Sequence, residues 1–186
     1  KIKLVAPSVP DSRKPWETGE IKADTATKGF HSVTLMLKNV TPTAKILTDI
    51  LGYQATQQDG NNYRFTTNAV DNASIVDIIE APSVAHGIVA AGTNHHVAFR
   101  VKDNTILMDY REKIERFGLN VTPKIDRDYF FSIYFREPGG VLFELATDNT
   151  GFTRDEPLSE LGTHLKLPRQ YEGSRKEIEK VLPVLN

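Results

Sequence analysis

The sequence predicts an α+β fold of two βαβββ modules that form a curved mixed sheet with helices on its outer face. Three observations carry that expectation. Segments alternating between apolar and polar residues are followed by one with helical spacing, and this order runs through the chain twice. The helical segments end alike, in "ILG" at residues 50–52 and "RFG" at 116–118. Turn sequences, "DGNN" and "REPGG", join alternating segments within each copy. Repetition of one supersecondary unit implies a pseudo-symmetric sheet.

The elements follow in order. In "FHSVTLMLKN", Val33, Leu35 and Leu37 share one face, and Ser32, Thr34 and Met36 the other, as in a strand. "TPTAKILTDILG" has helical spacing, with Thr41 or Thr43 as caps, Pro42 near the first turn and Gly52 past the end. "YQATQQ" and "YRFTTN" flank "DGNN" as a hairpin, and "ASIVDIIEAP" is a strand closed by Pro82. The second copy begins with "HHVAFRV" and continues with the helix "NTILMDYREKIERFG". Three strands follow, "LNVTPKI", "YFFSIYF" and "VLFELAT". The modules are expected at about 29–82 and 94–148, within a domain spanning 29–150. Residues 151–186 form a C-terminal extension whose "EGSRKEIEKVLPVL" reads as an amphipathic helix, with Ser174 as cap, docking on the sheet. The opening residues 1–28 contain Pro7, Pro10 and Pro15 and show no periodicity, so they read as an interdomain linker. With no initiator Met at residue 1, a preceding domain is expected.

Composition narrows the function. The 186 residues are 39% hydrophobic and 25% charged, with a net charge of −1, which suits a globular domain and gives no polyanion-binding surface. Nucleic acid is therefore not an expected partner. No apolar run approaches the roughly 18–20 residues needed to span a membrane, and no signal peptide is expected. The chain has no cysteine, which excludes disulfides, thiolate metal sites and thiol nucleophiles and suits a cytoplasmic location.

Alternation also sorts the candidate site residues. In "HHVAFRV", Val97, Phe99 and Val101 form the row a helix would cover, and His95 falls on that side at the strand's open end. His96 lies with Ala98 and Arg100 on the opposite face, where a cavity would form. In "VLFELAT", Glu144 lies between Leu142 and Ala146, opposite the row Val141, Phe143, Leu145. A carboxylate in so apolar a strand needs a partner or a metal if it is buried. The alternative is an exposed position, or an ion pair with Arg100 or Arg136. If "PGG" is a three-residue hairpin loop, Tyr134 sits directly across from Glu144. Arg127 precedes Tyr134 by seven residues, at the mouth of the same strand. His86 and His164 fall in loops and read as surface residues.

The duplicated pattern, "HHVAFRV" and above all "EPGGVLFELAT" resemble the vicinal oxygen chelate superfamily, the glyoxalase, bleomycin resistance and extradiol dioxygenase group, over about Gly29 to Thr150. The stretches "PWETGEI" and "LKLPRQYEGSRKEIEKVLPVL" resemble the C-terminal half of two-domain, hydroquinone-type ring-cleaving dioxygenases. The resemblance implies the glyoxalase/dihydroxybiphenyl dioxygenase-like fold. It implies Fe(II) as cofactor, with Mn(II) or Zn(II) as alternatives, and a small aromatic substrate, hydroquinone- or catechol-like, with O₂ as co-substrate. His96 and Glu144 match its metal ligands, Tyr134 a tyrosine beside the metal, Arg127 an arginine on a substrate oxygen, and His95 a pocket histidine. Two histidines and a carboxylate on one face of Fe(II) leave positions for substrate and O₂.

Such a triad needs a third ligand. His31 in "GFHSVTL" is a candidate. Aligning "SVTLML" with "HVAFRV" sets Ser32 opposite His96 and His31 opposite His95, on the helix-facing row. His31 then reads as a structural histidine, unless a bulge turns it inward. Asp77 takes the place of Glu144 in the first module. The third ligand is instead expected from a missing N-terminal domain of the same protein, so this chain would be half of a composite site, weak in metal and inactive alone. A glyoxalase-type metalloisomerase or lyase and a non-enzymatic small-molecule-binding module on the same fold remain alternatives, and homo-oligomerisation stays open.

Overall fold

A computed structural model describes residues 1–183, which divide into two compact units, Lys1–His86 and the residues from Gly87 onward. Among the described residues no helix is long and apolar enough to cross a membrane.

In the first unit, residues 1–31 form neither helix nor strand. Strand β1 (Ser32–Leu37) leads into helix α1 (Val40–Lys45), which widens into a π-helical turn at Ile46–Ile50. The N-cap is Asn39, whose Oδ1 accepts from the Thr41 amide at 2.8 Å, so neither Thr41 nor Thr43 caps the helix. Thr43 instead lies buried within it. Strands β2 (Gln54–Asp59), β3 (Asn62–Thr66) and β4 (Ile75–Glu80) complete a four-stranded sheet ordered β1-β4-β3-β2, with β1 parallel to β4. The β2–β3 hairpin turns through Gly60, whose φ of 55° favours glycine. Leu35, Leu37, Ile46, Leu47, Ile50, Phe65, Val76 and Ile78 form the core, while Met36 on the other face is exposed.

The second unit repeats the plan. Strand β5 (Val97–Val101) precedes α2 (Asn104–Arg116), capped by Asp103, whose Oδ1 accepts from the amides of Thr105 and Ile106. Then come β6 (Ile125–Asp126), β7 (Phe130–Arg136) and β8 (Leu142–Thr150), in the order β5-β8-β7-β6 with β5 parallel to β8. The expected strand "LNVTPKI" is reduced to two paired residues and an isolated bridge between Val121 and Phe135. Pro123 between them has no amide to give to a ladder. Leu107 and Ile114 of α2 pack with Ile133, Phe135, Phe143 and Leu145, all buried, so the apolar rows read from the sequence do face the helix. Beyond β8 the chain forms short 3-10 turns and α3 (Arg175–Val181). The expected docking of this helix on the sheet is not found: it buries none of its residues. Its exposed face is laced instead by ion pairs from Arg175 and Lys180. Ser174 stands at its N-cap position without a side-chain bond, and Val184 and Leu185 lie outside the described residues.

The β7–β8 loop decides what the second sheet can display. Glu137, only 1% exposed, folds its carboxylate over the loop and accepts from the amides of Gly139 (2.8 Å) and Val141 (2.7 Å). Gly140 takes a φ of 96° there, and its amide donates to the Glu137 carbonyl. This knot fixes the register in which Tyr134 faces Glu144 and Phe135 faces Phe143. Removing the Glu137 carboxylate strands two loop amides. Glu137→Ala is expected to cost about 1–3 kcal/mol in urea denaturation, with the loss read as a lower midpoint at unchanged slope.

Candidate functional site

A chain of side-chain contacts runs across one face of the second sheet. Glu144 is 3% exposed, in mid-strand on β8. Its Oε1 accepts from the Tyr134 hydroxyl at 2.6 Å, and its Oε2 lies 2.8 Å from His96 Nε2. Tyr134 is the residue directly across on β7, as the hairpin length required. The Arg127 Nη2 donates to the Tyr134 hydroxyl at 3.3 Å, and its guanidinium carbon lies 5.4 Å from the ring centroid. The His96 ring packs edge-on to Tyr134 at 5.7 Å. The ion-pair alternative for Glu144 is displaced: Arg100 pairs with Asp148 at 2.5 Å and Arg136 donates to the Gly140 carbonyl.

The two adjacent histidines meet through their Nδ1 atoms, 2.9 Å apart, with the rings edge-to-face at 5.2 Å. Alternation along a strand placed His95 on the opposite side from His96. The pleat, however, begins at Val97, so both histidines stand in the entering chain, where alternation does not bind them. One Nδ1 must donate and the other accept. His96 Nε2 lies 2.8 Å from an oxygen of the Glu144 carboxylate, which only accepts, so Nε2 carries a proton and donates to it. With that tautomer His96 Nδ1 is the acceptor of the pair and His95 Nδ1 the donor.

This donor set fits part of a metal site. An imidazole nitrogen and a carboxylate oxygen, both ligands of choice for divalent iron, manganese or zinc, converge within 2.8 Å of each other. Among the described residues no group of three or more His, Cys, Asp or Glu side chains that could hold a metal ion is gathered. His31 belongs to the first unit, just before β1, where its Nδ1 lies 3.2 Å from Ser32 Oγ. His86 is exposed; His164 is largely exposed and lies 3.5 Å from Glu156 Oε1.

The first unit solves the same position differently. Asp77 on β4 is aligned with Thr34 on β1 and Arg64 on β3, as Glu144 is with Ala98 and Tyr134. Arg64 binds Asp77 through Nε at 2.8 Å and Nη2 at 2.9 Å, a two-pronged pair. That hydrogen bond holds the guanidinium even further above its ordinary value. Ser32, two residues before Thr34, stands where His96 stands before Ala98. Sequence reading placed Asp77 but missed Arg64, because the loop between the paired strands differs in length between the modules. Only the ladder register reveals the equivalence.

Comparison with known proteins agrees with this architecture. The family profile for the Glyoxalase/Bleomycin resistance protein/Dioxygenase superfamily matches residues 29–145. The protein of Bacillus subtilis named "Putative ring-cleaving dioxygenase MhqO" is 40% identical over 167 residues, covering 90% of this chain and 53% of its own. The chlorohydroquinone/hydroquinone 1,2-dioxygenase of Sphingobium indicum is 31% identical over 172 residues, covering 91% of this chain and 53% of its own. The chain thus spans about half the length of the curated relatives it matches. A crystal structure described as a putative dioxygenase from Bacillus subtilis superimposes with a TM-score of 0.88 at 37% identity, covering 95% of this chain and 57% of that one. The repeated βαβββ units and the profile match together show that this chain belongs to the Glyoxalase/Bleomycin resistance protein/Dioxygenase superfamily.

Proposed function

We propose that this chain is the C-terminal part of a cytoplasmic, Fe(II)-dependent ring-cleaving dioxygenase that opens hydroquinone- or catechol-like aromatics with O₂. In this reading residues 1–28 are the interdomain linker, 29–150 the catalytic domain and 151–186 an extension. The observation that carries the proposal is the buried Glu144 carboxylate, gripped between His96 Nε2 and the Tyr134 hydroxyl with Arg127 behind it. A purely structural carboxylate is satisfied by one cation, as Asp77 is by Arg64. A ligand-trapping module needs neither an imidazole nitrogen nor a phenol on that carboxylate. The relatives named as ring-cleaving and hydroquinone dioxygenases support the substrate class.

His96 and Glu144 would hold the metal. The third ligand is assigned to the half of the protein that this chain does not span, with His31 as the competing candidate. When bound, Fe(II) supplies Lewis acidity toward a phenolic oxygen and an electron route between ring and O₂. The remaining work falls to the side chains. Tyr134 presents a hydroxyl that can give a proton to, or take one from, a substrate oxygen. Arg127 directs a permanent positive charge at that same hydroxyl and stabilises negative charge developing there. With His96 Nε2 given to the metal, its Nδ1–H would donate to His95 Nδ1, and the His95 Nε2–H would then be a donor for a second ring oxygen while its Nδ1 fixes the orientation of the His96 ring.

Anaerobic Fe(II) loading of the full-length protein, followed by oxygen-uptake assays with hydroquinones and catechols, tests the reaction. Uptake with ring-opened product is expected; a loaded protein that consumes no oxygen discards the dioxygenase, and turnover without oxygen points to an isomerase. Tyr134→Phe is expected to lower kcat by about 10²-fold while metal content holds. His96→Ala and Glu144→Ala should each abolish stoichiometric metal. Asp77→Asn should leave metal content intact and cost on the order of 0.2–1 kcal/mol in denaturation. Stoichiometric, tightly held iron in this chain alone would transfer the third position to His31.

A further inference from the structure

Arg127 opens the three-residue connection between β6 and β7, and that turn is not held by its own sheet alone. Within it, the Arg127 amide donates to the Phe130 carbonyl at 2.9 Å and the Tyr129 amide to the Arg127 carbonyl at 2.8 Å. Asp128 between them takes a left-handed φ of 65°, with its amide tied to Asp126 Oδ1. Asp adopts this region more readily than most non-glycine residues, and here contacts from outside the turn add to the local bond that holds it. Those contacts come from the chain as it leaves β8.

That outgoing segment crosses the turn and grips it at Asp128 and Tyr129, the two residues that follow Arg127. Thr150 Oγ1 donates to the Asp128 carbonyl at 3.0 Å, and Arg154 Nη1 donates to the same carbonyl at 2.7 Å. The Gly151 amide donates to the Tyr129 carbonyl at 2.8 Å. The Phe152 ring stacks on Tyr129 with centroids 5.1 Å apart, and the Tyr129 hydroxyl donates to Asp155 Oδ2 at 3.0 Å. Partial burial and the bond to Asp155 both raise the Tyr129 hydroxyl above its ordinary value, so it remains a donor. Farther on, Glu156 turns inward, 7% exposed, and accepts from the Gly162 amide, anchoring the end of the segment.

We propose that residues 150–155 act as a strap that sets the position of Arg127, with Arg154 and Tyr129 as positioning residues for the guanidinium at Tyr134. This rests on the proposed role of Arg127 in the reaction. The physical reason is the length of the lever. The Arg127 side chain is long, and it meets the site only at Tyr134, through a 3.3 Å hydrogen bond to the hydroxyl and a guanidinium contact 5.4 Å from the ring centroid. Its reach is therefore decided by where the turn holds its Cα. Loss of the strap leaves Arg127 present but displaced, and displacements of about 1 Å at a reacting centre are worth up to roughly 10²-fold in rate.

The test uses the full-length, metal-loaded protein and the variants Arg154→Ala, Arg154→Lys, Tyr129→Phe and Arg127→Ala. Arg154→Ala is expected to lower kcat about tenfold with little change in KM, and to speed amide exchange at residues 127–131. Arg154→Lys, which keeps a donor for the Asp128 carbonyl, should restore most of the rate. Tyr129→Phe, which keeps the stack but loses the bond to Asp155, should show a smaller loss in the same direction. In the Arg127→Ala background, Arg154→Ala should cause no further loss, because the two act through one group. Losses that multiply in the double variant overturn the proposal, as does an unchanged rate or a fall that tracks melting temperature without rescue by lysine. If the loaded wild type consumes no oxygen, the dioxygenase reading fails by itself. Amide exchange at 127–131 then decides the strap: faster in Arg154→Ala upholds it, unchanged removes it.

Discussion

A carboxylate buried in the middle of an apolar strand is the constraint on which the second unit is built. Left alone, Glu144 would oppose folding, because removing an ionised group from water is expensive without partners. Its neighbours are therefore not free to vary independently. Tyr134 must face it across the ladder, so the β7–β8 register must hold, so the loop must close at the right length, and Glu137 closes it. His96 must arrive from the entry to β5, which works because β5 runs parallel to β8 as its neighbour. The second unit's sheet order, loop geometry and site chemistry thus answer to one charge.

The first unit shows the same demand met more simply. Arg64 delivers a full positive charge and two hydrogen bonds to Asp77, and nothing further is needed for stability. His96 and Tyr134 give Glu144 a partner whose charge depends on protonation and a neutral donor. That grip satisfies the oxygens without permanently cancelling their charge. In the proposed reading Glu144 is thereby left able to accept a metal ion. The two strand positions differ in three side chains, His96 against Ser32, Tyr134 against Arg64 and Glu144 against Asp77, on matching ladder registers.

Much of this was legible in the sequence, and the limits have physical causes. The strand faces, the second helix and the pairing of Tyr134 with Glu144 follow from periodicity and loop length, which are local and strong signals. The first helix was read one cap too late, because asparagine and threonine both suit an N-cap and only geometry shows that Asn39 does the bonding. "LNVTPKI" alternates like a strand, but Pro123 denies it a ladder. The amphipathic tail suggested docking, yet ion pairs along a short helix satisfy it in water. Arg64 was hidden because the loop before β4 differs in length from the β7–β8 loop, and the strap over Arg127 because it acts across long sequence separations in a segment without periodicity.

The two treatments of one strand position bear on how such chains diversify. In each unit the mid-strand carboxylate is partnered by residues of that unit itself. A duplicated copy can therefore surrender its reactive groups while its fold stays intact. The Arg64–Asp77 clasp shows such a copy holding itself, with two hydrogen bonds from one guanidinium bracing β3 against β4. Its strand position is closed by a cation of its own, where its twin's is held by an imidazole and a phenol.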